Sequence, residues 1–263
     1  MQNQKKCHQN VWILSGTADG PILAERLIKL DYVVFISVVS HKACNAYPLN
    51  SKLHIFTGTL NNKKEIINFI LKHQIHFIVD ATHPFAINIS KNLISACSNI
   101  SVPFFRFERI AQYKSNVEII SNFEDISHEL IKNKNILLAI GSRALNEVAR
   151  FYFDLGANIF ARILATPNSI SNGFSSCINN SRLAILNPSY SKRNNLETYL
   201  CKYWRIDYIV CRDSGGYSQI IWDEICLRSN IKLYLLRRPE MQTNALIFSR
   251  YDDLIKKIVQ FEK

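Results

Sequence analysis

No two cysteines of this chain have the C-x-x-C spacing: Cys7, Cys44, Cys97, Cys177, Cys201, Cys211 and Cys226 are scattered singly. That argues against a zinc ribbon or a dithiol redox centre and fits a reducing compartment. No apolar run reaches the roughly 18 residues that cross a bilayer, and no apolar h-region follows the polar start, Met1 to Asn10. Neither a membrane partner nor a secretory leader is expected, and a cytoplasmic location is. Also missing are a G-x-S-x-G elbow, an H-E-x-x-H pair, a P-loop ending in Gly-Lys-Ser/Thr, short-period repeats and low-complexity tracts. Hydrolase and kinase chemistry therefore lack the residues they need.

What the chain does have is a core-forming composition: 263 residues, 48% of them hydrophobic, enough for one large domain or two modest ones. Its formal charge of +11 suits a polyanion, whether nucleic acid, a phosphate-bearing cofactor or a polycarboxylate. The alternative is compositional drift, since Lys, Asn and Ile are abundant throughout. The basic residues are dispersed instead of forming a stripe, and no nucleic-acid-binding motif accompanies them, so no nucleic-acid partner is expected.

Short β-branched runs alternate with amphipathic stretches, the pattern of repeated βα units and a mainly parallel sheet. The spacing predicts strands over 11–14, 33–39, 52–56, 76–79 and 103–105, with helices over 21–30, 63–72 and 84–97. After the polar stretch Ile110 to Asn116 a second series follows, with strands over 117–120, 136–140, 158–163, 182–186, 207–211 and 232–236. Helices over 123–132, 143–151, 196–204 and 217–227 would connect them. The class is α/β, with two Rossmann-like domains, residues 1–115 and 116–263, and a functional cleft between them. The tail 241–263 adds a strand and a final helix, Tyr251 to Phe261, to either domain.

The first strand runs into Ser15-Gly16-Thr17-Ala18-Asp19-Gly20-Pro21, with proline expected at the first helical position. Gly16, Thr17 and Ala18 would offer backbone N–H groups and a helix dipole to a pyrophosphate. The full G-x-G-x-x-G fingerprint is absent, and an ordinary tight connection is the alternative. The second strand ends in Ser40 and Lys42 where an NAD site would place an acid. That favours the 2′-phosphate of NADP, unless Ser40 only caps a turn and Lys42 is solvated.

The run Asp80-Ala81-Thr82-His83-Pro84-Phe85-Ala86 joins a buried strand to a helix, with His83 expected at the N-cap. Asp80, Thr82 and His83 can bind a cofactor or move a proton, or simply satisfy the loop's N–H groups. Arg106 and Arg109 can clamp substrate carboxylates or form salt bridges with Glu108. Gly141-Ser142-Arg143 and Asp213-Ser214-Gly215-Gly216 each lie between a strand and a helix as possible anion nests, the second flanked by Arg212 and Tyr217.

Taken together, Ser15-Gly16-Thr17 with Gly20-Pro21, the Thr57-Gly58 turn, Asp80 to Ala86, Arg106 to Arg109, and Ser214-Gly215-Gly216 followed by Arg237-Arg238-Pro239 resemble the precorrin-6A reductase family. The resemblance spans residues 11 to 239, and the Asp80 to Ala86 run is its most specific part. It implies two Rossmann-like domains and a reduced nicotinamide nucleotide on the N-terminal one, NADPH with NADH as the alternative. Hydride would pass to precorrin-6A or its cobalt form, a polycarboxylate tetrapyrrole, in cobalamin biosynthesis. Gly16, Thr17 and Thr82, His83, Pro84 and Phe85 would hold the nucleotide, and Arg106, Arg109, Ser214, Gly215 and Gly216 would face substrate or cofactor phosphate. The proton would come from His83, Tyr217 or water.

Gln219 and Trp222 stand where family members often have Thr and Lys, and Arg212-Asp213 replaces the family's Lys-Asn or Lys-Ala. Two alternatives remain: another NADP-linked reductase on the same scaffold, or a non-catalytic dinucleotide-binding module.

Overall fold

The computed structural model describes residues 9–60, 62–110, 113–114, 117–187, 196–240 and 245–261. Cys7 and most of the stretch between the expected domains lie outside them. The chain divides into two compact units, one of residues up to 110 together with those from 239 onward, the other of residues 111–238.

The first unit contains β1 (Asn10–Ser15), α1 (Asp19–Lys29), β2 (Val33–Val38), α2 (His41–Cys44), β3 (Leu53–Thr57), α3 (Lys63–Lys72), β4 (Ile75–Ala81), α4 (Ile87–Ile100) and β5 (Phe104–Phe107). The second contains β6 (Val117–Ile120), α5 (His128–Ile131), β7 (Asn135–Ala139), α6 (Leu145–Asp154), β8 (Asn158–Ile163), α7 (Pro167–Phe174), β9 (Leu183–Ile185), α8 (Leu196–Tyr203), β10 (Tyr208–Arg212), α9 (Tyr217–Ser229) and β11 (Lys232–Leu236). The last elements, β12 (Leu246–Phe248) and α10 (Tyr251–Gln260), belong to the first unit.

Every strand pairing is parallel, in sheet orders β12-β5-β4-β1-β2-β3 and β6-β11-β10-β7-β8-β9. Read from the other edge, each is the 3-2-1-4-5-6 order of a doubly wound sheet, whose ligand crevice opens at the carboxyl ends of the two strands flanking the reversal. Those strands are β1 and β4 in the first unit, β7 and β10 in the second. The sixth position is filled from opposite directions: β12 comes from the end of the chain, β6 from the start of its own unit.

Strand alternation explains how both faces are covered. Val11 and Ile13 pack with Leu23, Leu27 and Leu254 on one face, while Trp12 and Leu14 pack with Ile66, Ile70 and Leu93 on the other. In the second unit Ile136 and Leu138 meet Leu145 and Tyr152, and Leu137 meets Trp204 and Trp222. Each such side chain, fully buried, contributes on the order of 1.5–3 kcal/mol. Asn62 caps α3, its side chain accepting the Glu65 N–H at 3.0 Å while donating to the Glu65 carboxylate at 2.8 Å.

Four sequence expectations are corrected. The second unit ends at 238, because residues 246–248 pair with 105–107 and α10 packs on α1. The single helix expected over 123–132 is broken into a 3-10 turn, Phe123–Asp125, and the short α5, since Ile126 between them is extended. Asn122 and Asp125 close a capping box on the first piece, and Ser127 stands at the N-cap of the second. An unexpected helix, α7, forms despite poor helix formers, because Thr166 accepts the Ser169 N–H and Pro167 occupies the first helical position. Finally, α1 begins at Asp19, which puts Pro21 third in the helix, still within the turn whose N–H groups need no helical acceptor.

Candidate active site

At the reversal of the first sheet, Gly16 and Ala18 are exposed and Thr17 is half-buried. Among the described residues the N–H groups of Gly16, Thr17 and Ala18 meet no protein acceptor. The loop is fixed from behind. The Thr17 hydroxyl donates to Asp19 Oδ2 at 2.7 Å, lies 3.2 Å from the Ala81 carbonyl, and accepts the Asp19 N–H at 3.2 Å. Buried Asp19 also accepts from Arg109 Nε at 2.8 Å and from the Tyr251 hydroxyl at 2.6 Å. Gly20 is required sterically, since a side-chain carbon there would land on the Ser15 hydroxyl and within 2.5 Å of the Tyr47 oxygen. It does the work of the glycine that packs helix against strand in a dinucleotide fold.

The end of β4 faces this loop: a carbon added to Gly16 would come within 3.5 Å of the His83 nitrogen and 3.7 Å of Thr82 Cα. Asp80 is fully buried and bonded to Arg106 Nη1 (2.7 Å), the Ser90 hydroxyl (2.6 Å) and the Thr82 N–H (3.0 Å). Its expected place against a cofactor is thus taken by internal donors, and it holds the loop instead. Arg106, expected to clamp substrate, is 1% exposed and donates to Asp80, Glu108 and Thr82. A strand covered on both faces leaves a mid-strand arginine no route to solvent. Arg109 keeps about a quarter of its side chain exposed but engages Asp19.

His83, expected at the N-cap, instead precedes it. Pro84 and Phe85 form a turn closed by the Ala86 N–H on the His83 carbonyl at 2.8 Å, and α4 starts only at Ile87. The Phe85 N–H donates to His83 Nδ1 at 3.2 Å, so a neutral ring carries its proton on Nε2. Thr82, His83, Pro84 and Phe85 are all half-buried, and Ser40 and Lys42, beyond the end of β2, are exposed.

In the second unit Gly141 has a φ of +80°, which only glycine adopts freely, and a carbon added to it would lie 3.7 Å from an Arg212 nitrogen. Burial, then the neighbouring Arg143 charge, holds the Arg212 pKa below its ordinary value. Ser142, Arg143 and Arg212 therefore do gather at this edge. The nest after β10 is closed: the Ser214 and Gly215 N–H groups both donate to Gln219 Oε1 at 2.6 Å, and the Gly216 N–H donates to the Ser214 hydroxyl at 3.2 Å. Expected to receive a substrate or phosphate anion, Ser214, Gly215 and Gly216 are capped by their own helix. Tyr217 is half-buried at the first position of α9.

Residues 10–259 match the family described as precorrin-6x reductase CbiJ/CobK. This chain belongs to that family. Among its relatives, the cobalt-precorrin-6A reductase of Synechocystis sp. is 28% identical over 236 residues, covering 88% of each chain. That of Methanocaldococcus jannaschii is 26% identical over 261 residues, covering 96% of this chain and 99% of its own. A solved CobK precorrin-6A reductase superposes with a TM-score of 0.76 over 96% of each chain at 16% identity, which establishes the shared fold.

Within the precorrin-6x reductase family, the two departures seen in the sequence now have structural content. Gln219 fills the nest, and Trp222, 2% exposed, is built into the core of the second unit with no route for a lysine's ammonium group. Among the described residues, no helix is long and apolar enough to cross a membrane. Sequence reasoning missed Asp19, Ser90 and Tyr251. An acid in the first turn of α1 was a usable signal for Asp19, whereas the Tyr251 contact, 232 residues away, had none.

Proposed function

We propose that the chain performs its family's reaction, reducing precorrin-6A or its cobalt form to the 6B form in corrin-ring biosynthesis, and that its first unit holds the reduced nicotinamide nucleotide. The observation that carries the placement is the exposed loop Gly16 to Ala18. Among the described residues its N–H groups meet no protein acceptor at the head of α1, on the reversal of a doubly wound sheet. Ser40 and Lys42 at the end of β2, with no carboxylate beside them in sequence, favour NADPH over NADH. Thr82, His83, Pro84 and Phe85 complete the nucleotide side of the site.

The bound nicotinamide supplies the hydride, which is why no nucleophile is needed. The protein's task is to orient the reactants, keep water out and deliver one proton. We assign the proton to His83, whose Nδ1 accepts the Phe85 N–H so that a neutral ring carries its proton on Nε2, with Tyr217 as the alternative donor. Arg143 and Arg212 would meet substrate carboxylates: burial, then the Arg143 charge, disfavours the Arg212 cation, and an anion beside the guanidinium would relieve that. Arg109, partly exposed beside Asp19, would take an anionic group at the first unit's own edge.

The test is anaerobic mixing of purified protein with NADPH and precorrin-6A, then with the cobalt form, following the near-ultraviolet absorbance of NADPH. Oxidation with either substrate supports the reading, and the faster one fixes the metal preference. NADPH binding without turnover would transfer the protein to another NADP-linked reaction or to a sensing role. No binding at all would overturn the assignment of Gly16 to Ala18.

A further inference from the structure

We propose that Arg106 is a positioning residue for nucleotide binding: it acts through Thr82, fixing that hydroxyl as a hydrogen-bond donor to an acceptor oxygen of the bound nucleotide. The inference rests on the placement of the nucleotide on the first unit and gives one contact there a direction.

A guanidinium has five N–H donors and no acceptor. Arg106 lies one strand out from the reversal, pairs in register with Asp80, and is sealed from solvent. Its Nη1 sits 3.0 Å from Thr82 Oγ1, 2.7 Å from Asp80 Oδ1 and 3.5 Å from Ser90 Oγ, and its Nε sits 3.0 Å from Glu108 Oε1. At Thr82 the hydroxyl oxygen can therefore only accept, and its proton is left for another partner.

The nearby carboxylate does not provide one. Asp80 Oδ1 receives Arg106 and the Thr82 N–H, and Asp80 Oδ2 receives the Ser90 hydroxyl. Among the described residues the Thr82 hydroxyl has no partner besides Arg106. It stands on the loop that approaches Gly16, where the nucleotide's phosphate and ribose oxygens would lie. Accepting from Arg106 takes one lone pair of this hydroxyl and turns its proton away from the guanidinium, so its one O–H is held ready for a ligand acceptor. Phosphate oxygens, which only accept, are the matching ligand atoms.

The test is a double-mutant cycle on NADP+ affinity, measured by calorimetry with Thr82→Val, Arg106→Lys and the pair, alongside the melting temperature of each. Thr82→Val should weaken NADP+ roughly tenfold, the loss of one hydrogen bond to a charged group, and Thr82→Ser should restore it. Arg106→Lys should weaken binding in the parent chain but add nothing in the Thr82→Val background. If Arg106→Lys does not fold, the neutral exchange Asp80→Asn with Arg106→Gln takes its place in the cycle. Equal losses in both backgrounds would make Arg106 merely structural and overturn the inference, as would unchanged affinity in Thr82→Val. Parent protein that binds no NADP+ would overturn the nucleotide placement as well.

Discussion

Both units carry an aspartate at the end of the fourth strand of the doubly wound order, Asp80 within β4 and Asp213 just past β10, and both pair it with an arginine from the next strand along, Arg106 on β5 and Arg238 two residues past β11. In the first unit the pair is sealed, at 1% and 0% exposure, and its remaining bonds go to Ser90, Thr82 and Glu108. In the second, Arg238 and Asp213 keep 17% and 10% exposure, and Arg238 also donates to the Asp213 carbonyl at 2.8 Å. The loops beside them differ in the same sense. In the first unit Asp80 and Arg106 hold the Thr82 loop while Asp19 holds the Gly16 loop, whose N–H groups meet no acceptor among the described residues; the second unit closes its nest with Gln219. One topology thus carries a capped nest after the fourth strand of the second unit and, after the first strand of the first unit, a loop whose N–H groups meet no acceptor among the described residues.

The sharpest way to break this comparison is to remove the acids. Asp80→Ala strands a buried guanidinium and should cost about 3–5 kcal/mol in urea unfolding, against about 1–2 kcal/mol for Asp213→Ala, whose arginine can reach water. Equal losses would erase the distinction between the two clamps. Gly20→Ala should cost about 1–3 kcal/mol by overpacking against Ser15 and Tyr47, with weakened NADPH binding because the head of α1 must shift. Gln219→Ala leaves two N–H groups uncapped and should cost about 1–2 kcal/mol with NADP+ affinity unchanged in calorimetry. A marked loss of affinity there would move the nucleotide to the second unit.

The smallest effect concerns alkaline pH. Burial first, then the Asp19 carboxylate, pushes the Tyr251 phenol up to about 12 from an ordinary 10.0. The unfolded chain releases that proton first, so the contribution is intact below pH 10 and lost as pH rises towards 12. Tyr251→Phe should flatten part of the decline in alkaline denaturation.

Much of the scaffold was legible because parallel strands buried on both faces carry long β-branched runs, as in Val33 to Val38 and Ile75 to Val79. The same double burial hid the role of Arg106. Phe105 and Phe107 pack on one face and Phe104 on the other, so alternation gave no solvent side on which to place the arginine. Helix α7 was invisible to periodicity, being composed of Pro, Asn, Ser and Gly around two apolar residues, and only its cap announced it. In α9 the buried face carries Gln219 and Asp223, the first capping the nest and the second accepting the Lys114 N–H at 2.7 Å, so polarity there signals hydrogen bonding and not exposure. The loop at Gly16 and the run from Asp80 to Phe85 were found from sequence, but which members touch each other and which face outward depended on contacts across 10 to 232 residues.

The strand β12 and helix α10 complete a sheet begun more than two hundred residues earlier. During synthesis the second unit is contiguous and can close as it leaves the ribosome, whereas the first waits with an unpaired β5 edge until residues 246–260 emerge. A nascent chain stalled at residue 238 would carry a finished second unit and an unfinished first sheet, its Asp19 still lacking Tyr251.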